Sequence, residues 1–174
     1  MKGQVIGKTM THGYAGSYSR QPDSVVNTRP AGGKEAIPFG LGVAYDNDGC
    51  VVVMGTAGAK NSFVGVAVRE VKSAWDYRNQ NEGSYLPGDA VPVLMRGSVN
   101  VICQRSTPSL GGAVYIRTAV NESYPNCVIG GFEAENDEGK TTLLGNCQWG
   151  GQADENGVAE LSQCVGGKIW HLKT

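Results

Sequence analysis

The sequence predicts a mainly β fold, a compact β-sandwich or barrel, with an extended arm at its N-terminus. Three observations carry that prediction. Short Val-rich runs recur along the chain, separated at intervals of about 8 to 15 residues by Asx-Gly or Pro-Gly turn clusters, the punctuation of all-β domains. Glycine supplies 26 of the 174 residues, about twice its usual share, which favours turns and close strand contacts over long helices. Helical stretches long enough to cross between parallel strands are missing from the pattern, which argues against a βαβ chain.

The elements follow in order. Residues 1–35 hold Lys2, Lys8, Arg20, Arg29 and Lys34 against Asp23 and Glu35, so the segment carries +3 and leaves −4 for residues 36–174. Rich in Gly, Ser, Thr, Tyr and Asn, it has little with which to build a core. It reads as a contact arm lying across its own domain or a neighbouring subunit, with Tyr14, Tyr18, Arg20 and Arg29 as contact residues; an ordinary first strand and surface loop is the competing reading.

Residues 36–174 read as a single β-rich domain. Ile37 to Tyr45 is extended, Asp46-Asn47-Asp48-Gly49 is a turn, and Cys50 to Met54 completes a hairpin. Phe63 to Val71 continues the pattern. Pro87-Gly88-Asp89 turns the chain into Ala90 to Met95, and Ser98 to Cys103 alternates so that Val99 and Val101 share a face. Further strands are expected at Ala113 to Arg117, Cys127 to Phe132 and Thr141 to Trp149, with polar turns at Asn136 to Gly139 and Asp154 to Gly157. Val71 to Asn79 has the spacing for one or two helical turns.

Composition narrows the function classes. A chain of this length buries roughly two-thirds of its extended surface, enough for a real core. At 40% hydrophobic and 18% charged it is no solvated tail. The formal charge of −1 and the lack of any Lys/Arg block argue against a nucleic-acid partner. Neither a signal-peptide core nor a membrane-spanning run is seen, so a membrane partner is not expected and folding in the cytoplasm is. Cys50, Cys103, Cys127, Cys147 and Cys164 are odd in number and widely spaced, the pattern of reduced, structural thiols, with one or two disulfides, and then a catalytic or metal role, as the less favoured alternatives.

Catalytic chemistry has little to work with. The two histidines are His12, in the arm, and His171, near the C-terminus, and neither forms a metal-ligand spacing. Asp46, Asp48, Glu133, Glu135, Asp137, Glu138, Asp154 and Glu155 read as solvated turn carboxylates, with an incidental cation site or a catalytic pair as the less favoured alternatives. Gly55 to Lys60 and Gly166-Gly167-Lys168 lack the order of a phosphate loop. Trp75, Trp149 and Trp170 are read as core or interface residues rather than a sugar platform. No catalytic residue, cofactor or metal site is expected, and the chain is not expected to be an enzyme.

The runs His12-Gly13-Tyr14-Ala15-Gly16, Arg20 to Val26, Ile37-Pro38-Phe39-Gly40, Phe63 to Arg69, Val93 to Gly97 and Gly111 to Tyr115 together resemble the structural cement, or capsid decoration, proteins of tailed bacteriophages. The resemblance implies a non-enzymatic virion protein that binds the exterior of the major-capsid lattice and fastens neighbouring subunits. It implies the major capsid protein as partner, self-association on the capsid, and a β-rich body of jelly-roll type made in the cytoplasm of the host bacterium. A carbohydrate-binding virion or surface module is the alternative, with a minor head- or tail-associated role beside it.

Overall fold

The Asp46-Asn47-Asp48-Gly49 cluster shows how local chemistry sets the fold. One carboxylate oxygen of Asp46 accepts the N–H groups of Asp48 and Cys50, at 2.9 and 2.8 Å, and Gly49 takes the left-handed φ that closes the turn. The flanking runs therefore pair as a hairpin. The computed structural model describes residues 11–60, 62–70 and 83–164. Among them are strands β1 (Tyr18–Pro30), β2 (Ile37–Pro38), β3 (Gly42–Tyr45), β4 (Val51–Val53), β5 (Phe63–Ala67), β6 (Ser84–Tyr85), β7 (Ala90–Ile102), β8 (Ala113–Arg117), β9 (Phe132–Glu133), β10 (Thr141–Trp149) and β11 (Val158–Gln163).

One antiparallel sheet runs in the order β4-β3-β5-β7-β11-β10-β8-β9, with β1 laid along β7, and β2 pairs separately with β6. Two parallel bridges curl it. Ala31, just past β1, meets Val51 of β4, and Cys103, just past β7, meets Phe132 of β9. Both halves of the sheet thus bend back towards β7, giving the curled half-barrel of a compact β-sandwich or barrel fold.

The near-continuous apolar runs arise because part of the sheet is buried on both faces. Along β3, β5 and the first half of β7, alternate residues serve two cores, and β4 adds Val51 and Val53 to one of them. Val43, Val51, Val53, Ala67, Val91 and Val93 join Ile37 and Tyr85 in one. Ala44, Val66 and Leu94 enter the other with Val99, Val101, Val114, Ile116, Phe132, Trp149 and Leu161. Each fully buried Val or Leu contributes about 1.5–3 kcal/mol relative to exposure.

Strand β7 is the spine of this arrangement, and Gly97 makes it possible. Even-numbered Leu94 faces the larger core before Gly97, and odd-numbered Val99 and Val101 face it afterwards. A one-residue bulge changes the parity. Gly97 has φ +124°, and a Cβ there would stand 2.8 Å from the carbonyl oxygen of Asp23 on β1, so any other residue is strained and crowded at once. The pairing of β1 with β7 shifts register opposite this point.

Several sequence expectations change in detail. The runs at Ala90 and Ser98 form one strand. The expected strand at Cys127 to Phe132 shrinks to β9, because the chain turns there: Gly130 takes a left-handed φ of +79°, and the Cys127 and Gly131 N–H groups donate back to the Tyr124 and Val128 carbonyls at 3.0 and 3.1 Å. The sequence reading overlooked β11, whose Glu160 and Gln163 are buried polar residues that mask its apolar alternation. The helical reading of Val71 to Asn79 lies outside the described residues, as do Trp75, Trp170 and His171.

Candidate functional site

The N-terminal segment is held by its own domain over much of its described length. Tyr18–Pro30 runs antiparallel to β7 from Val99 to Ala90. Upstream, the backbone of Gly16 and Ser17 pairs with Asn100, and the Asn100 amide donates to the His12 carbonyl at 2.6 Å and to the Ser17 hydroxyl at 3.0 Å. The His12 N–H donates to Asp154 at 2.9 Å. Asp154 also closes its own turn by accepting from Asn156 and Val158.

The four anticipated contact residues divide into two kinds. Arg20 donates from Nε to Glu160 at 2.7 Å. Burial alone would lift the Glu160 carboxyl, but Arg20 and neighbouring hydroxyls hold it below the usual carboxylate range. The Tyr18 hydroxyl donates to Glu70 at 2.9 Å, and its pKa is pushed up to about 12 by burial first and then by that hydrogen bond and charge. Both side chains therefore bond within the domain, Tyr18 half-buried and Arg20 with its side chain still 72% exposed. Tyr14 is 72% exposed, its ring centre lying 4.9 Å from the Arg69 guanidinium carbon. Arg29 is exposed beside Tyr45, with Nε 3.4 Å from the phenolic oxygen.

A second feature lies between loops. The stretch from Ala119 to Gly131 leaves β8 and returns to β9, and it is fastened by charge. Arg117 and Glu133 are fully buried, with Nε 2.5 Å from Oε1. Arg117 also reaches Asp137 at 3.0 Å and the Ala119 carbonyl at 3.3 Å. Asn121 donates to the same Asp137 oxygen at 2.9 Å; that bond and Arg117, against some burial, hold the Asp137 carboxyl below its ordinary range. Arg105 lies 4.4 Å from the centre of the Tyr124 ring and 3.9 Å from Glu133.

This cluster corrects the reading of the acidic residues. Glu133 is no solvated turn carboxylate: β9 turns it against Arg117, and the returning loop excludes water from both. Nothing in the sequence distinguishes it from an outward charge on a strand. Among the described residues, no group of three or more His, Cys, Asp or Glu is placed to hold a metal ion.

The fastened loop forms one wall of an apolar groove. Val120, Cys127, Val128 and Ile129 face Phe39, Leu41 and Val53 across a cleft of about 620 Å³, which continues past Val53, Thr56 and Ile129 into a second of about 600 Å³ along Gly32 to Glu35. Ile102, Val120 and Val128, on its margin, are 48%, 62% and 50% exposed, an unusual grouping of aliphatic side chains in water. The sequence reading missed this groove because its walls come from five separated stretches. Trp149 is fully buried and supplies no sugar-stacking surface.

The five cysteines are unpaired thiols. Burial raises the Cys147 thiol well above its ordinary range, the environment of an inert structural residue.

No curated protein matches the chain. A chain in the solved capsid of Myoviridae phage XM1 is similar in fold, with a TM-score of 0.63 at 16% identity over 93% of this chain and 97% of that one. The model of the structural cement protein family (E217 gp24/Pam3 gp6) matches residues 2–163. Matched by that family model over nearly its whole length, the chain belongs to this family of phage structural cement proteins, and its role is the structural cementing of capsid subunits.

Proposed function

We propose that the protein binds the outer surface of an assembled capsid, touching the major capsid protein and neighbouring copies of itself, and that residues 1–35 carry the capsid contact, with 36–174 as the β-rich body. Nucleic acid and membrane take no part. The observation that carries the reading is Tyr14: a large aromatic ring, 72% exposed, steadied by Arg69 on a segment that its own domain holds in place. Such a preorganised aromatic loses little conformational entropy on docking and suits the centre of an interface. Arg29 adds an exposed guanidinium for carboxylate or carbonyl acceptors.

Cementing follows from mass action. A protein that binds neighbouring subunits only when they are assembled stabilises the assembled state by its binding free energy, multiplied over the repeats of the lattice. The protein is made in the host cytoplasm and its thiols stay reduced there.

The test is a Tyr14→Ala/Arg29→Ala double variant, with native secondary and tertiary circular dichroism confirmed first. Its occupancy on capsids stripped of the protein is expected to fall about tenfold or more, as for loss of an aromatic anchor, with a matching loss of capsid heat resistance. Unchanged occupancy and heat resistance would refute these contacts. Binding to free capsomers as tight as to shells would refute the assembled-lattice mechanism.

A further inference from the structure

We infer that the outer edge of β1 is an interface between copies of this chain: residues 25–29 pair antiparallel with the same stretch of a second copy, two-fold symmetrically about Asn27, and carry the sheet from one molecule into the next. The inference rests on the contact between neighbouring copies proposed above and gives it a place. Backbone hydrogen bonds fix which way the peptide groups of β1 point. Thr28 and Val26 lie opposite Pro92 and Leu94 of β7. The Pro92 carbonyl accepts the Val68 N–H at 2.9 Å, and alternation gives Leu94, which pairs with Val66, the same direction, towards β5. Opposite residues of an antiparallel pair turn their backbone groups either towards each other or both away. Thr28 and Val26 therefore point their N–H and C=O groups away from β7, while Asn27 and Arg29 bond to Val93 and Val91.

Beyond Gly97 the bulge keeps β1 on the same side of β7. There Cys103 donates to the Gly157 carbonyl beside β11, whereas Asn100 exchanges bonds with Gly16 and Ser17. So β5 and β11 lie end to end along one edge of β7 and β1 along the other, and among the described residues no strand pairs with the outer edge of β1. That edge meets water: Val25, Asn27, Thr28 and Arg29 are all exposed. Pro30, with no N–H to give, closes it at one end, and the register shift between Arg20 and Val25 closes it at the other. Between them the outward groups of Val26 and Thr28 are a template for another strand.

The charges along the edge point to a second copy as that strand. Self-pairing centred on Asn27 sets Val26 against Thr28 of the second copy and Thr28 against its Val26, so the outward groups of both copies bond to one another. Val25 then meets the aliphatic stem of the incoming Arg29. Arg96, opposite Val25, holds the Asp23 carboxylate on the Val25 side, diagonal to that Arg29, and the Asp23 side chain is still 77% exposed. Each copy's Arg29 thus meets the other's Asp23. The two Arg29 residues stand about 13 Å apart, four positions of about 3.4 Å along the strand; centring on Thr28 would bring these like charges to about 7 Å.

The test places a cysteine on the axis. Residues opposite each other there, in a pair without hydrogen bonds, stand about 4.5 Å apart at Cα, within disulfide range. Full-length Asn27→Cys protein, treated with oxidised glutathione both concentrated in solution and on decorated capsids, is expected to form a disulfide dimer through the introduced cysteine about tenfold faster than Val25→Cys, whose two copies lie off the axis. Adding Thr28→Pro removes the outward N–H and no bond between β1 and β7; with native circular dichroism retained, it should cut the dimer about tenfold. Arg29→Glu, which sets a carboxylate near Asp23 of the second copy, should lower the yield independently. No dimer above the unsubstituted chain in either setting, or an equal rate from Val25→Cys, overturns the inference. So does slowed amide exchange at Val26 and Thr28 on capsids without the dimer, the mark of a capsid strand on this edge. A dimer in solution from protein that fails to bind capsids supports this interface and counts against the capsid contact alone.

Discussion

Replacing Arg117 with alanine removes the guanidinium in direct contact with the fully buried Glu133 carboxylate. Both Arg117 and Glu133 are fully buried, and Glu133 Oε2 has no hydrogen-bond partner of its own. With Arg117 gone, the cation left beside Glu133 among the described residues is Arg105, 3.9 Å away and already shared with Glu135. Leaving one member of a buried pair without its partner costs about 3–5 kcal/mol. For a chain of this size each kcal/mol moves Tm by about 2–4 °C, so a fall of roughly 6–20 °C is expected. Urea unfolding followed by tryptophan fluorescence measures the free energy directly. The diagnostic comparison is the Arg117→Met/Glu133→Leu double variant, which removes both charges and keeps the volume; it should recover most of the loss, because the single variant's cost is the stranded carboxylate rather than the missing attraction. A loss below about 1 kcal/mol for Arg117→Ala, the range of a surface pair, would show that water reaches Glu133 and refute the account of how the 119–131 loop is held.

Three further outcomes follow from the same structure. Gly97→Ala should destabilise by about 1–3 kcal/mol, through its left-handed φ and the Asp23 carbonyl, whereas Gly49→Ala, whose Cβ meets nothing within 4 Å, should lose only the cost of its φ, and equal losses at both sites would refute the close-approach argument. The carboxyls of Glu160, Asp137 and Asp154 titrate lower in the folded state than in the unfolded one; their contribution is therefore present above the usual carboxylate pKa and lost as pH falls through the folded values, so stability should decline below about pH 4–5, and Arg20→Ala should flatten that decline in urea titrations across pH. Under native conditions an alkylating reagent should modify Cys164 quickly and Cys147 only on unfolding, read as mass increments over time; comparable rates at the two would place Cys147 outside the core.

The legible part of the fold is the part governed by short-range rules. Asp46 to Gly49 announces its turn because an Asx carboxylate and a left-handed glycine act over four residues. The paired Val runs around it announce a hairpin for the same reason. The two-faced burial of β3, β4 and β5 is also local, since it leaves runs such as Val51-Val52-Val53 with no polar alternation. What stays hidden depends on partners distant in sequence. Nothing near Ser98 signals that it continues the strand begun at Ala90, because the bulge at Gly97 is required by Asp23 and Ser24 on β1. Nothing near Val158 reveals β11 while Glu160 looks like a surface charge, because the Arg20 that pairs with it lies 140 positions away.

The site follows the same logic with a different outcome. Catalytic sites place their chemistry in a few residue types that must meet, and such types can be looked for by name and spacing. A cementing surface has no such alphabet. Tyr14 and Arg29 are legible as interface residue types, but so are Tyr18 and Arg20, and composition cannot say which pair the fold uses for itself. The structure adds that Glu70 and Glu160 bond Tyr18 and Arg20, while Tyr14 and Arg29 are exposed without an acidic partner of that kind among the described residues, although Arg20 too keeps its side chain 72% exposed. The charge difference between the segment and the remainder of the chain, +3 against −4, is partly spent in the same way, through Arg20 on Glu160. On the proposed reading, the backbone ties of Gly16 and Ser17 to Asn100 and the Arg69 guanidinium beside the Tyr14 ring spare that ring the cost of ordering itself upon a repeated surface.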